Sequence, residues 1–303
     1  MTNTPQGLIA PAILVPATAL NDANRGWLVD EVASFAIWAE SEAMLVLGEY
    51  PIEAQWANAC LYYIGQVENG GHGQFASNSD MRAVTISGID KALAASGYGE
   101  LHAIFRDFQA LMEAPKVRQR AMETAGFEGT PDALKVLDRR YFALGDADTK
   151  VRHLSEWTAS LPTLKPLPKE RLDAERAAVI AANKRSQARR DERARAVAEH
   201  EANDPRRQAA SALCNAVGEE FKRFTGGNPL PGGSILWLFE TSTGKAGMVV
   251  GTGKALLLDA ALKPRDVFCD WPYEPGGRVF DLRRPTDFSA MLHLFKSWFR
   301  RWL

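Results

Sequence analysis

The chain has 303 residues, 46% hydrophobic and 24% charged, an ordinary balance for a soluble protein with material for a core. Its length is about twice that of a common domain, which favours two domains. Lys and Arg total 36 against 37 Asp and Glu, so the whole-chain average excludes a strongly acidic mimic or a strongly basic nucleic-acid binder. Cys60, Cys214 and Cys269 lie far apart without a CxxC pair, too few for a disulfide framework, which suits a reducing, cytoplasmic compartment.

The apolar run from Leu8 to Leu20 is broken by Pro11 and Pro16 and is shorter than the roughly 20 apolar residues of a spanning helix. No Lys or Arg precedes it, against a signal peptide. The expectation is an extended arm packed on a helical domain, with no membrane partner.

From Arg25 to Ser160 the apolar spacing is helical. The first helix starts at Trp27, Glu31 and Phe35 and runs towards Leu47. The second opens at Pro51, and Trp56, Cys60, Tyr63, Ile64 and Val67 form its buried stripe. Asn69, Gly70 and Gly71 should end it, because both residue types tolerate the left-handed backbone of a C-terminal cap. Further helices are expected over 80–95, 99–112, 116–126, 130–144 and 146–160, with Thr130 capping the fourth of these ahead of Pro131. This predicts an all-α domain over residues 1–162, closed by Pro162, Pro166 and Pro168.

Residues 163–205 are rich in Ala, Arg and Glu and read as a charged helical linker, exposed as a spacer and too poor in large apolar residues for a coiled coil. Residues 206–303 read as a small α+β domain. A helix over 206–224 leads to the break at Thr225-Gly-Gly-Asn-Pro, followed by short strands over 234–240, 247–250, 255–259, 267–269 and 278–282. Phe288, Met291, Leu292, Phe295, Trp298, Phe299 and Trp302 then mark a terminal amphipathic helix. Its wide apolar face suits one side of the sheet better than a membrane surface.

The near-neutral total is a cancellation: residues 1–162 carry 20 acidic and 12 basic side chains, net −8, residues 163–207 net +4 and residues 208–303 net +3. Glu40, Glu42, Glu49, Glu53, Glu68 and Asp80 bracket the first two helices and are the candidates for an acidic face. That face competes for a basic groove only if its carboxylates are concentrated, and duplex DNA carries a charge every ~1.7 Å, denser than a whole domain at −8. The opposite sign of the spacer suggests that it folds back on the acidic domain and neutralises it.

No pattern assigns a reaction. Gly247 to Lys254 fails as a phosphate loop because Met248 stands at its first glycine and Ala255 at its hydroxyl position. A hairpin turn explains its glycines. His72, His102, His153, His200 and His293 lack metal-ligand spacing, no GxSxG is present, and Glu219, Glu220, Glu240 and Asp259 lack the Glu-x-Lys of a nuclease-like set. No catalytic residue, metal or cofactor is assigned.

The run from Val67 to Ser79 resembles the signature of a bacterial domain family, mostly of unknown function, named after the C-terminal domain of a DNA-mimic protein. The matching residues are Asn69, Gly70, Gly71, Gln74, Phe75, Asn78 and Ser79. His72 stands where the family usually has Phe, a departure that concerns one packing contact. The arm from Ala12 to Leu20 and the run from Leu137 to Phe142 are similar to the family's flanking segments, so the resemblance covers about residues 10–162. It implies a helical bundle. From the residues themselves, the motif is a polar corner whose side chains bond exposed backbone, with Phe75 plugging the core beneath. The functional expectation is a non-enzymatic protein-interaction module whose acidic domain binds a basic DNA-binding regulator, without direct nucleic-acid binding, and with a homodimer left open. The alternatives are an immunity protein for a co-encoded toxin and an enzyme with a site in the C-terminal domain.

Overall fold

The computed structural model describes residues 7–21, 23, 25–124, 130–229, 235–251 and 254–270. The chain divides into two compact units, Met1–Arg190 and Asp191–Leu303.

In the first unit the arm forms β1 (Ile13–Pro16), with Ile13, Leu14 and Val15 buried as expected of its apolar sequence. Helix α1 (Leu28–Ser41) stops before Leu47, because Met44 takes a left-handed φ of 54° and the Leu45 N–H reaches the Ala39 carbonyl at 2.8 Å. Helix α2 (Ile52–Ser79) follows Pro51, and α3 (Ala83–Ser96) starts after Asp80 and Met81, both at positive φ. Then come α4 (Gly99–Met112), α5 (Pro115–Thr124), α6 (Asp132–Ala143) and α7 (Ala147–Ala159). Pro131, not Thr130, stands at the N-cap of α6, its carbonyl accepting from Leu134 at 2.9 Å. The expected end of the preceding helix at Gly126 lies outside the described residues. Cys60, Tyr63, Ile64 and Val67 are buried, with Trp56 packed at the edge of the same core.

Two expectations for this unit need correction. The proline-rich stretch is not a bare boundary: Leu164–Leu167 forms β2, paired in parallel with β1 from Ile13↔Leu164 to Pro16↔Leu167. A proline lacks an N–H to give but is tolerated in a strand bonded on one side only. The unit is therefore helical with a two-stranded ribbon rather than all-α. Nor is the following segment one exposed helix. It forms α8 (Lys169–Ala182) and α9 (Ser186–Asn203), separated at Asn183, whose ψ of 84° leaves the helical region. Leu172 and Val179 of α8 are buried in the first unit's core, whereas α9 buries no residue.

In the second unit α10 (Pro205–Ala216) is capped by Asp204, whose carboxylate accepts from the Arg206 N–H at 2.9 Å. An antiparallel meander follows in sequence order: β3 (Phe221–Pro229), β4 (Ile235–Thr241), β5 (Lys245–Gly251), β6 (Lys254–Leu258) and β7 (Pro264–Asp270). The helix expected to reach Phe224 ends at Ala216, where Gly218 takes a φ of 74°. The Thr225–Pro229 stretch read as a break lies inside β3. Bulges between Phe221 and Arg223 and between Phe224 and Gly226 interrupt the strand register, and both Phe rings join the core under α10. Their three-residue spacing imitated a helix for that reason. Gly251 pairs with Lys254, as a hairpin requires. Residues 271–303, which hold the expected strand over 278–282 and the terminal amphipathic helix, lie outside the described residues. Among the described residues no helix is long and apolar enough to cross a membrane.

Candidate functional site

The glycine pair divides α2 into two helical stretches. Gly71 has a φ of 73°, and helical backbone resumes beyond it to Ser79. The helix expected to end at Asn69-Gly70-Gly71 does stop there; what the sequence did not show is the second helical stretch that starts directly after it. A break exposes the N–H groups of the resumed helix, and Asp138 of α6 supplies the missing acceptor: its Oδ1 takes the His72 N–H at 2.8 Å. A Cβ on Gly71 would lie 2.7 Å from the other Asp138 oxygen, so only glycine admits the carboxylate there.

Asp138 Oδ1 also lies 2.7 Å from His72 Nδ1, and the Tyr63 hydroxyl lies 2.9 Å from His72 Nε2. Burial pushes the Tyr63 phenol well above its ordinary value of 10.0, so it keeps its proton. The consistent assignment has Tyr63 O–H donating to Nε2 and Nδ1–H donating to Asp138. His72 and Tyr63 are wholly buried, and Phe75, Phe105 and Phe108 pack around them. Asp, His and Tyr in line could move a proton, but here they hold a kink inside an aromatic core.

A buried cation adjoins this network. Lys150 of α7 is wholly buried, and its three donors meet Glu68 Oε1 at 3.1 Å, the Asp146 carbonyl at 3.2 Å and the Gly145 carbonyl. Its Nζ also sits 4.3 Å from the centre of the Tyr141 ring, whose phenol burial raises above the ordinary range. The motif and the Leu137–Phe142 flank, far apart in sequence, thus meet through Asp138 and Tyr141. Sequence reasoning singled out both stretches but not these two residues, nor Lys150. The departure of His72 from the family's Phe, set beside an Asp in the second matched stretch, was the available signal.

The motif's other polar residues bond side chains more than backbone. Gln74 and Asn78 both donate to Gln66 Oε1, at 3.0 and 2.6 Å, and the Ser79 hydroxyl accepts from the Met81 N–H at 3.2 Å. Asn69 is exposed, and Phe75 fills the core as expected.

The six acidic candidates differ in exposure and in what they contact. Glu40 and Glu42 are exposed at the end of α1, and Glu53 is half-buried in the first turn of α2. Glu40 accepts from the Tyr50 hydroxyl at 2.5 Å, which ties the end of α1 to the start of α2. Asp80 is exposed at the far end of α2, beyond the kink. Glu68 is held by Lys150. Glu49 is buried, and its carboxylate is gripped on both oxygens by Arg189, at 2.6 and 2.9 Å. That guanidinium holds Glu49 below its ordinary value of 4.5. What remains at the α1–α2 junction is Glu40, Glu42 and Glu53 beside the exposed apolar side chains Ile37, Val46 and Leu47.

The segment following α8 reaches this junction. Asn183 donates to the Ala43 and Met44 carbonyls at 2.7 and 3.1 Å, Arg189 to the Met44 carbonyl at 2.7 Å, and Arg190 to the Glu42 carbonyl at 2.6 Å. These carbonyls follow the C-terminus of α1, the negative end of the helix dipole, where cationic donors are favoured.

A surface concavity of about 300 Å³ gathers Asp146, Asp148, Arg152, His153 and Glu156 along α7. Asp146 caps α7 there, accepting from the Thr149 N–H at 2.9 Å, and the His153 ring lies tilted against Tyr98, their centres 4.2 Å apart. In the second unit Glu219 pairs with Arg265, Glu240 with Arg223, and Asp259 accepts turn N–H groups, so these carboxylates serve separate local contacts. Cys60 is buried in the core, and burial raises the Cys214 thiol to about 11. Among the described residues no His, Cys, Asp and Glu set could hold a metal ion.

The family model described as DMP19-like protein, a domain of a DNA-mimic family, matches residues 48–161, somewhat more than a third of the chain. The match spans α2 to α7 and so contains the kink, Asp138, Tyr141 and Lys150. No curated protein and no solved structure matches the chain.

Proposed function

We propose that the chain is a protein-interaction module whose first unit offers carboxylates at the α1–α2 junction to a basic, DNA-binding protein. The observation that carries this reading is the DMP19-like domain beginning at that junction, beside exposed Glu40, Glu42 and half-buried Glu53. Exposed Ile37, Val46 and Leu47 stand in the same stretch of chain as Glu40 and Glu42, and carboxylates with apolar side chains are a usual make-up for a protein interface. Phosphate-binding grooves are built from Lys and Arg, so a partner that accepts these carboxylates would accept duplex DNA in the same groove.

The test is capture of partners from the native host by the full-length chain, followed by elution with duplex DNA and, separately, with salt. A partner released by both supports competition for one basic groove. A complex that survives excess duplex and high salt contradicts it.

A further inference from the structure

Resting on that reading of the α1–α2 junction, we infer that residues 183–190 are an intramolecular competitor for the partner, and that the partner element it imitates is an arginine-rich helix start. Asn183 places its amide on two carbonyls behind α1, and Arg185, whose N–H bonds Asn183 Oδ1 at 3.1 Å, precedes the first turn of α9. Arg189 then forks onto Glu49 and Arg190 reaches the Glu42 carbonyl. The sequence Asn183-Lys-Arg-Ser-Gln-Ala-Arg-Arg190 is thus a basic turn and helix start seated on the Glu42, Ala43 and Met44 carbonyls and the Glu49 carboxylate.

Its mode of attachment allows exchange. Helix α8 is anchored by buried Leu172 and Val179, whereas α9 buries no apolar residue, Arg190 is exposed and Arg189 keeps 18% of its side chain exposed, so the anchors of the arginines are polar. Their contacts are hydrogen bonds and ion pairs, the kind that another guanidinium can replace one for one. Bringing the segment in on the same chain gives it a high effective concentration, so an outside ligand must displace it to reach Glu49.

The experiment uses the full-length chain and a fluorescein-labelled nona-arginine peptide, read by anisotropy. Arg189→Ala combined with Arg190→Ala is expected to bind the peptide about tenfold more tightly than the natural chain, and adding Glu49→Gln is expected to erase that gain. A double variant that binds no more tightly, or a gain that survives Glu49→Gln, overturns the competitor. The natural chain gives a second measurement free of folding risk: saturating peptide should speed amide hydrogen exchange over residues 186–190, and unchanged exchange there also overturns it. Failure of the two readings is distinguishable. If Glu40→Gln, Glu42→Gln and Glu53→Gln together weaken peptide binding while the arginine variant is neutral, the surface stands and the competitor falls. If no chain binds the peptide, both fall.

Discussion

The two charge clusters of the first unit are built in opposite ways. Around the α2 kink, His72, Tyr63 and Lys150 are wholly buried among aromatic rings, each bonded to a group fixed on another helix or on a different stretch of its own. At the α1–α2 junction, a buried carboxylate meets a guanidinium from a helix that buries nothing else. In the first, every donor is wholly buried and its partners lie on packed helices. The second faces a surface already lined with Glu40, Glu42 and Ile37, where one donor can stand in for another. Burial of the supporting element, rather than the charges alone, separates an architectural pair from an exchangeable one.

That contrast gives graded expectations. Lys150→Met should cost the most, about 3 kcal/mol, because Glu68 and two carbonyls lose their donor in a buried setting. Chemical denaturation would show it, and a loss below about 0.5 kcal/mol would mean that the cluster is not closed. His72→Phe, which restores the residue usual in the resembled family, should cost about 1–3 kcal/mol, since the buried Tyr63 hydroxyl loses its partner while Asp138 keeps the backbone N–H. An unchanged melting point would contradict the assigned network. The junction should respond chiefly to pH. Glu49 is depressed in the folded chain, so its contribution is present above its ordinary value of 4.5 and is lost as pH falls through the lower folded value. Comparing the natural chain with Glu49→Gln from pH 6 downward should show their stability difference closing in that acid window, and a constant difference would break the assignment.

How much of this was legible depends on the range of the contacts. Helices set by local punctuation, such as the one over 99–112, appear with their expected bounds. The kink at Gly70 and Gly71 was visible as a break, but not as an interruption that helical backbone survives, because the acceptor that caps the restart is Asp138, 66 residues away. The same distance hid the site: His72 and Lys150 look like unremarkable polar residues until α6 and α7 pack beside α2. Pro166 read locally as a boundary, whereas the β1 strand across the unit makes it part of a sheet. The opposite charge of the spacer was correctly suggestive, since Arg189 and Arg190 do return to the acidic unit, though they meet one carboxylate and several carbonyls rather than a whole face. In β3, bulges spaced Phe221 and Phe224 as a helix would, and only the pairing with β4 reveals the strand.

The central claim is that carboxylates at the α1–α2 junction receive a basic partner. It is met most directly by titrating the nona-arginine peptide at a series of salt concentrations into the natural chain and into Glu40→Gln, Glu42→Gln and Glu53→Gln combined. The account predicts affinity that falls with salt, and a loss of roughly tenfold in the triple variant at low salt, from pairs worth up to about 1 kcal/mol each. Equal affinities for the two chains across the series would contradict it.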